Sequence, residues 1–597
     1  MSRSSNPQEE IYDSLGRLLA GVVEINRRFL ESLAGAPPAG ADWPELFRAG
    51  CADKNKADWL NLGPAFQQVQ LDFWNSLLAP IERFFPPAGD SGPLPDDPRF
   101  RDSQWHSDPR LKGLMEAYLK VRRAYQRMAE QWQLSQQDRR RLKFYINYFL
   151  DALAPTNFFL TNPEAVRLFS ETGGQSLLRG LENLAADLRR GRLTQTDEEA
   201  FAVGGNLAAT PGGVIYANRL MQLIHYRPRR ETVRARPLLV VPPCINKFYI
   251  LDLQARNSFV SYCLDQGLQV FLISWVNPDR RHRDLGWDEY LEEGVLKGIE
   301  IARVVAGGEP VNLLGYCVGG TLLTCALAVL KARHQARRVA SATFLTTLLD
   351  FSDPGDIGVF VDRQILARQE AAAEKEGFIP GQDLFHTFSQ VRANDLIWSY
   401  VVSSYLKGLD PSPFDILYWN CDPVNLPLAF YHFLMHELYL ENRLIAGQVR
   451  VCGVRVRLEQ IRTPAYFMAA IDDHLVSWRT CFQGAVRLPG CREFVLGRGG
   501  HVAGVVNPPG KENSFYYCGS GRPQGEAEAW REAAEKKAGS WWEHWRGWLL
   551  KRSGRRVAAP PGCGSRDYPV IEPAPGSYVA RRLEFAGLED AKKKEAG

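Results

Sequence analysis

The sequence predicts an α/β fold, a mainly parallel sheet covered by helices on both faces, preceded by a mainly α-helical N-terminal domain. Three observations predict it. From about residue 196, short apolar, β-rich runs alternate with helical stretches, the pattern of buried parallel strands joined by helices. One of these runs, VNLLGYC (311–317), passes through Gly-x-Cys-x-Gly straight into a helix-forming segment. Residues 1 to about 195 instead carry helical periodicity, broken by Pro- and Gly-rich loops.

A chain of 597 residues exceeds what one ordinary core fills, and two domains are expected, at 1–195 and 196–597. In the first, Ile11, Leu15, Leu18, Leu19, Val22, Val23 and Ile25 recur at helical spacing. The loops GAPPAGADWP and FFPPAGDSGPLPDDPRF follow, then helices over 112–150 and 164–191, the second ending in Arg189, Arg190 and Arg192. No reactive constellation stands out there, which suits docking or regulation. In the second domain strands are expected at 237–243, 269–275, 311–317, 342–350, 464–472 and 493–497, with helices at 287–306 and 321–334 between them. From about 351 to 460 helical, aromatic-rich sequence interrupts this rhythm, and a cap insertion over the sheet is expected at about 351–440. Near the C-terminus Trp541, Trp542, Trp545 and Trp548 fall at helical spacing. They read first as core packing and second as an apolar surface for a greasy product. The tail from about 578, ending in EDAKKKEAG, reads as mobile.

Composition excludes several function classes. Hydrophobic content of 45% with 23% charged residues is that of an ordinary globular protein. A formal net charge of +4 gives no case for nucleic acid. Eleven cysteines, an odd number without C-x-x-C spacing, do not form the pattern of a disulfide framework or a zinc site, and a reducing cytoplasm is the expected setting. MSRSSNPQEEIYDSLGRLL lacks a basic-then-apolar signal, and no run of about eighteen uncharged apolar residues suggests a membrane span.

The Gly-x-Cys-x-Gly string has the layout of a nucleophile elbow, in which a strained strand-to-helix turn lifts one side chain above the end of a sheet. Its centre is Cys317, between Gly315 and Gly319. A buried cysteine is more often an inert small hydrophobe, but the flanking strand and helix favour the elbow. A thiol there can carry an acyl group as a thioester, which points to acyl transfer.

An elbow nucleophile needs a base and an orienting acid, in α/β-hydrolase folds in the chain order nucleophile, acid, histidine. Five histidines after Cys317 have a suitable context: His386, His432, His436, His474 and His501. His501, in RGGHVAGVVNPP just after the strand EFVLG, lies where active-site loops of open α/β sheets lie. The acid belongs after the preceding strand, PAYFMAAI, which ends in Asp472-Asp473-His474. Asp473 is preferred, spacing alone leaves Asp472 open, and Asp350 after the elbow's neighbouring strand is a weaker rival; His474 reads as structural. The oxyanion hole is expected from the amide of Val318 and that of Cys244 or Ile245, in the loop after PLLVVPP. That loop lacks the HGGG of many esterases, and Asp252 downstream reads as structural.

These residues sit within a longer resemblance. FAVGGNLAATPGGVIYANRLMQLIHY, VVPPCINKFYILDL, LLGYCVGGTLL, TTLLDFSDPGDIGVFVD, NDLIWSYVVSSYLKG, PFDILYWNCDPVNLP, DDHLVSW, GGHVAGVVNPP, GSWWEHW and IEPAPGSYV follow one another along residues 201–577. In this content and order the chain resembles the class I polyhydroxyalkanoate synthases, more weakly upstream of 201. The resemblance implies Cys317 as nucleophile, Asp473 as acid and His501 as histidine, and so decides between Asp472 and Asp473. The chain departs from the family's acid segment at Ile471 and Ser477, where Arg and Pro are usual. Both flank the acid and would alter loop geometry without removing a chemical group.

The resemblance further implies polymerisation of (R)-3-hydroxyacyl-coenzyme A, short units such as 3-hydroxybutyryl favoured, into a polyester with release of coenzyme A. No cofactor and no metal are implied. The expected partners are the substrate, the growing polyester, a second copy in a homodimer, and granule proteins such as phasins. The expected location is the cytoplasmic surface of polyester granules, with the N-terminal domain aiding attachment and dimer stability. The large N-terminal region argues against a class III chain. Two rivals remain: a thioesterase or esterase-like hydrolase using the same three residues, and a granule-binding protein with inactive relics.

Overall fold

The computed structural model describes residues 64, 67–77, 94–519, 521–583 and 585. The periodic segment Ile11–Ile25 and the loop GAPPAGADWP lie outside these residues. The chain divides into two compact units. Among the described residues the first runs to Gln195 and takes in Ser389–Ser412, and the second comprises Thr196–Phe388 and Pro413–Glu584. The interval expected as a cap is therefore shared between the two.

The first unit is helical, and its breaks follow from capping. Helix α1 (Pro109–Gln131) starts at Asp108, whose carboxylate accepts from the amides of Arg110 and Leu111, with proline at the first helical position. It buries Leu111, Leu114, Tyr118, Val121, Tyr125 and Met128, spaced three and four apart. The single helix expected over 112–150 is two, because Ser135 caps a second, α2 (Gln136–Ala152). The stretch 164–191 likewise divides into α3 (Pro163–Glu171) and α4 (Gln175–Arg190), since Gly173 and Gly174 both take positive φ. In α4, Gly180 lets the backbone of Tyr405 approach, and the Tyr405 hydroxyl donates to Asp187 at 2.8 Å.

The second unit is built on an eleven-stranded sheet. In chain order its strands are β1 (Gly212–Ala217), β2 (Met221–Tyr226), β3 (Leu238–Val241), β4 (Val270–Trp275), β5 (Val311–Tyr316) and β6 (Val339–Leu345). Then come β7 (Ala465–Ala470), β8 (Cys491–Gly497), β9 (Phe515–Cys518), β10 (Glu535–Ala538) and β11 (Glu572–Pro573). The sheet order is β10-β9-β8-β7-β6-β5-β3-β4-β2-β1-β11. The six neighbours from β8 to β4 are parallel, and they are the six strands expected from the sequence. The antiparallel strands at both edges were not anticipated.

Alternate residues of the central strands enter opposite cores: Leu239, Val241 and Leu313 face one side, Leu238, Val240 and Leu314 the other. Helix α5 (Val318–Ala332) leaves β5 directly and is buried over most of its length. Helix α6 (Trp541–Leu550) packs all four tryptophans into the second core, which favours the core reading over an exposed apolar face. Most of the tail expected to be mobile, including EDAKKKEAG, lies outside the described residues, and only its start is described. Ser577–Ala580 is helical, and the carbonyl oxygens of Val579 and Arg581 accept from buried Lys247 at 2.8 and 2.9 Å.

Candidate active site

Cys317 lies between β5 and α5 with φ 53° and ψ −125°, a strained backbone for any residue with a Cβ. The turn is held from both sides. The Cys317 amide donates to the Leu345 carbonyl at the end of β6, and its carbonyl accepts from Gly320. The flanking glycines are there for space: a Cβ on Gly319 would run into the Val241 and Pro242 carbonyl oxygens, and one on Gly315 into the Gly320 backbone. The thiol is thereby carried over the C-terminal ends of the parallel strands, where such sheets bind ligands.

Asp473 and His501 follow β7 and β8. His501 Nδ1 stands 2.8 Å from Asp473 Oδ2, with the carboxylate fully enclosed and the ring nearly so. Asp473 Oδ1 accepts from the amides of Leu475 and Val476, both at 2.9 Å, which fixes the carboxylate's orientation. The Tyr316 ring stacks on His501 at 5.4 Å, and its hydroxyl donates to the His501 carbonyl at 3.3 Å. The Cys317 thiol also acts on the ring, favouring its charged form. Burial, the largest influence, works against the charged imidazole, but Asp473 and Cys317 together outweigh it and hold His501 well above its ordinary value. A thiol, an imidazole and a carboxylate are thus brought to the ends of β5, β8 and β7, the groups from which an activated nucleophile can be built.

The rival residues are occupied elsewhere. Asp350 accepts from the Ser352 amide and the Asn442 side chain. Asp252 accepts from Thr210 and Ser258, both at 2.6 Å, and burial pushes it up to about 6. His432 and His436 both contact Glu370, and His386 approaches Gln382. The His474 carbonyl accepts from the Asp356 amide, joining the acid loop to the start of the 351–440 interval.

Val318 opens α5, so its amide belongs to the first turn, whose N–H groups lack intrahelical acceptors. Cys244 is buried, and burial, with a smaller contribution from the Cys317 thiol, pushes its own thiol up; the Val241 and Pro242 carbonyls that lead into this loop pack against Gly319 of the elbow. Ile245 accepts from the Val424 amide at 3.3 Å, and Asn246 bridges to Pro423, so backbone pairing steadies the loop.

Two contributors were not legible in the sequence. Tyr439 lies in the π-helical stretch Phe433–Leu440 with its ring edge-on to Phe351 at 4.9 Å; burial pushes its phenol up, and the charges of Cys317 and Asp473 add to this. Nothing in LMHELYLEN marks this tyrosine apart from its aromatic surroundings. Helix α6 holds the His501 loop: the indole of Trp541 donates to Gly504 at 2.8 Å and that of Trp542 to Val505 at 2.9 Å. The motif GSWWEHW signalled the helix but not its target.

Comparison with known proteins identifies the family and the fold. Residues 96–263 match the model of the poly-beta-hydroxybutyrate polymerase (PhaC) N-terminus, and residues 237–508 match that of the alpha/beta hydrolase fold. The chain is 44% identical over 495 residues to the poly(3-hydroxyalkanoate) polymerase subunit PhaC of Cupriavidus necator, covering 82% of this chain and 84% of that one.

The chain belongs to the poly(3-hydroxyalkanoate) polymerase family.

The same family includes the poly(3-hydroxyalkanoate) polymerase of Methylorubrum extorquens, 42% identical over 82% of this chain and 81% of that one. Polymerase 2 of Ectopseudomonas oleovorans is 41% identical, over 82% and 87%. Membership places the chain among acyltransferase-type polymerases, and the hydrolase alternative is not favoured. Among the described residues no helix is long and apolar enough to cross a membrane.

Proposed function

We propose that Cys317 carries the acyl chain during polymerisation of (R)-3-hydroxyacyl-coenzyme A, with short units such as 3-hydroxybutyryl preferred. The supporting observation is the His501 imidazole, 2.8 Å from Asp473 and held in its charged form by Asp473 and by the Cys317 thiol of a strained elbow. His501 takes the thiol proton, and the thiolate attacks the substrate carbonyl. A new carbon–sulfur bond forms, the old one breaks, and coenzyme A leaves with the proton. A 3-hydroxyl then gives its proton to His501 and attacks the acyl-cysteine; an oxoester forms and the thiol is regenerated. Exchange between thioesters is nearly thermoneutral, so the acyl group stays activated until the ester forms. A serine would lose that activation at the first step.

The amides of Val318 and of Cys244 or Ile245 are assigned to the oxyanion, and Asp473 to holding and charging the imidazole. Water is the competing nucleophile. The parts of the 351–440 interval that belong to the second unit, with Tyr439 packed edge-on against Phe351 and Trp287 stacked on Phe430 and Phe433, are assigned to keeping it out. A homodimer working at the cytoplasmic surface of polyester granules beside phasins completes the reading, on the strength of the class I resemblance.

Incubation with 3-hydroxybutyryl-coenzyme A and longer 3-hydroxyacyl substrates, following thiol release together with insoluble polymer, tests this. Polymer with matching coenzyme A release, both abolished in Cys317→Ala, is expected. Free hydroxyacid as the product would restore the hydrolase reading, and full release by Cys317→Ala would end any covalent one.

A further inference from the structure

Away from the thiol, two helical segments of the second unit bring three metal-binding side chains together. Helix Arg363–Ala373 supplies Glu370. The segment 428–440 supplies His432, ending an α-helical turn, and His436 in its π-helical continuation. A spacing of four puts both imidazoles on one helical face, and the rings stack with centroids 4.3 Å apart. Glu370 Oε1 stands 3.0 Å from His432 Nδ1 and 3.0 Å from His436 Nε2. One donor atom from each residue lies within 4.8 Å of the other two. With metal–ligand bonds of about 2.0–2.2 Å, three donors this close need little movement to surround one ion.

The frame around the donors is fixed by other bonds. The Tyr431 hydroxyl donates to Gln369 Oε1 at 2.6 Å, joining the residues immediately before His432 and Glu370. Arg363 pairs with Glu441 across the same two segments. An ion can reach the cluster, because the His432 side chain is 60% exposed and those of His436 and Glu370 24% and 21%. Two imidazoles and a carboxylate favour zinc, nickel or cobalt over calcium or magnesium, which prefer all-oxygen shells. Three protein ligands leave a position for water, as in exchangeable rather than closed structural zinc sites.

We propose that Glu370, His432 and His436 form a binding site for a zinc-class divalent ion, which clamps the 363–373 and 428–440 segments together. Tyr439 follows His436 by three residues and packs edge-on against Phe351 at 4.9 Å. The clamp thus stiffens the segment that carries Tyr439. The site stands independently of the reaction proposed above.

The test uses the full chain carrying Cys317→Ala, so that the elbow thiol cannot be a ligand. Equilibrium dialysis with zinc is expected to give one ion per chain, and affinity to fall at least about tenfold in Glu370→Gln and in His436→Ala added to that background. Cobalt is expected to give weak visible bands without thiolate-to-metal charge transfer. Zinc is expected to raise the melting temperature of the Cys317→Ala protein but not of its His436→Ala derivative. His432→Ala, at the more exposed ring, replaces His436→Ala if that variant fails to fold. Absence of saturable binding, binding indifferent to these substitutions, or a thiolate band would each overturn the proposal.

Discussion

At Cys317 the backbone bears a strain that the reaction does not itself require, and substitution can separate the two. Positive φ with a Cβ costs on the order of 1–3 kcal/mol, and glycine removes that penalty. Cys317→Gly and Cys317→Ala are both expected to abolish coenzyme A release. Urea denaturation should nevertheless find the glycine variant more stable than the alanine variant by about 1 kcal/mol; equal stabilities would mean the turn is relaxed. His501 offers a second test. Its pKa is raised in the folded chain above the ordinary 6.5, so the folded state holds the proton more tightly than the unfolded state. The stabilisation is complete below about pH 6.5 and is lost as pH climbs through the raised value. Asp473→Asn removes one of the two raising partners. The ring's NMR titration midpoint should fall, and the stability difference from the parent should shrink toward alkaline pH. An unchanged midpoint would remove Asp473 from its assigned role.

Among the elements, α6 shows how a structural helix reaches the chemistry. Trp541→Phe keeps an aromatic ring but deletes the donor to Gly504, in a loop packed so closely that a Cβ on Gly504 would come within 2.7 Å of the Ala470 Cβ. A stability loss of about 1–3 kcal/mol is expected from the unsatisfied carbonyl and the lost volume. Polymerisation kcat should fall more than KM changes, because the displaced group is His501; the kinetics of the purified variant check this. The parallel strands and the chain order of Cys317, Asp473 and His501 were legible because strands buried on both faces read as unbroken apolar runs, each ending at its active-site loop. The edges were not. Strand β10 is Glu-Lys-Lys-Ala, mostly exposed and without apolar alternation, and it exists because β9 offers it a ladder. Tyr439 was hidden for another reason: which face of a π-helical segment turns toward the elbow depends on the fold of the whole interval. Glu370 and His436, 66 residues apart in sequence, are likewise joined only in three dimensions.

At the scale of the molecule, remote segments stabilise the loop beside the elbow. Lys247, two residues after Ile245, is 3% exposed and pairs with fully buried Asp422 at 2.8 Å. Its other protons go to the carbonyl oxygens of Val579 and Arg581, near the end of the described chain. Truncation after Gly576 deprives this ammonium of two acceptors in a site that water does not reach. A stability loss of about 2–5 kcal/mol is expected in chemical denaturation, with activity lost at lower denaturant than bulk unfolding. Coincidence of the two transitions would separate the tail from the site. The 351–440 interval leaves and rejoins the sheet at one place. The Asn442 side chain accepts from the Phe351 amide and donates to Asp350, both at 2.8 Å, across 91 and 92 residues of sequence. Strands β6 and β7, which it separates along the chain, pair side by side without it. Strand register therefore does not depend on the interval's length, whereas the loop at Ile245–Lys247 depends on Asp422, Pro423 and Val424 within it. Exchange of this interval between related chains, cut at Asp350 and Asn442, keeps the strand pairing where those three partners are retained. It offers a route to altering which monomers are admitted without touching the residues that join them.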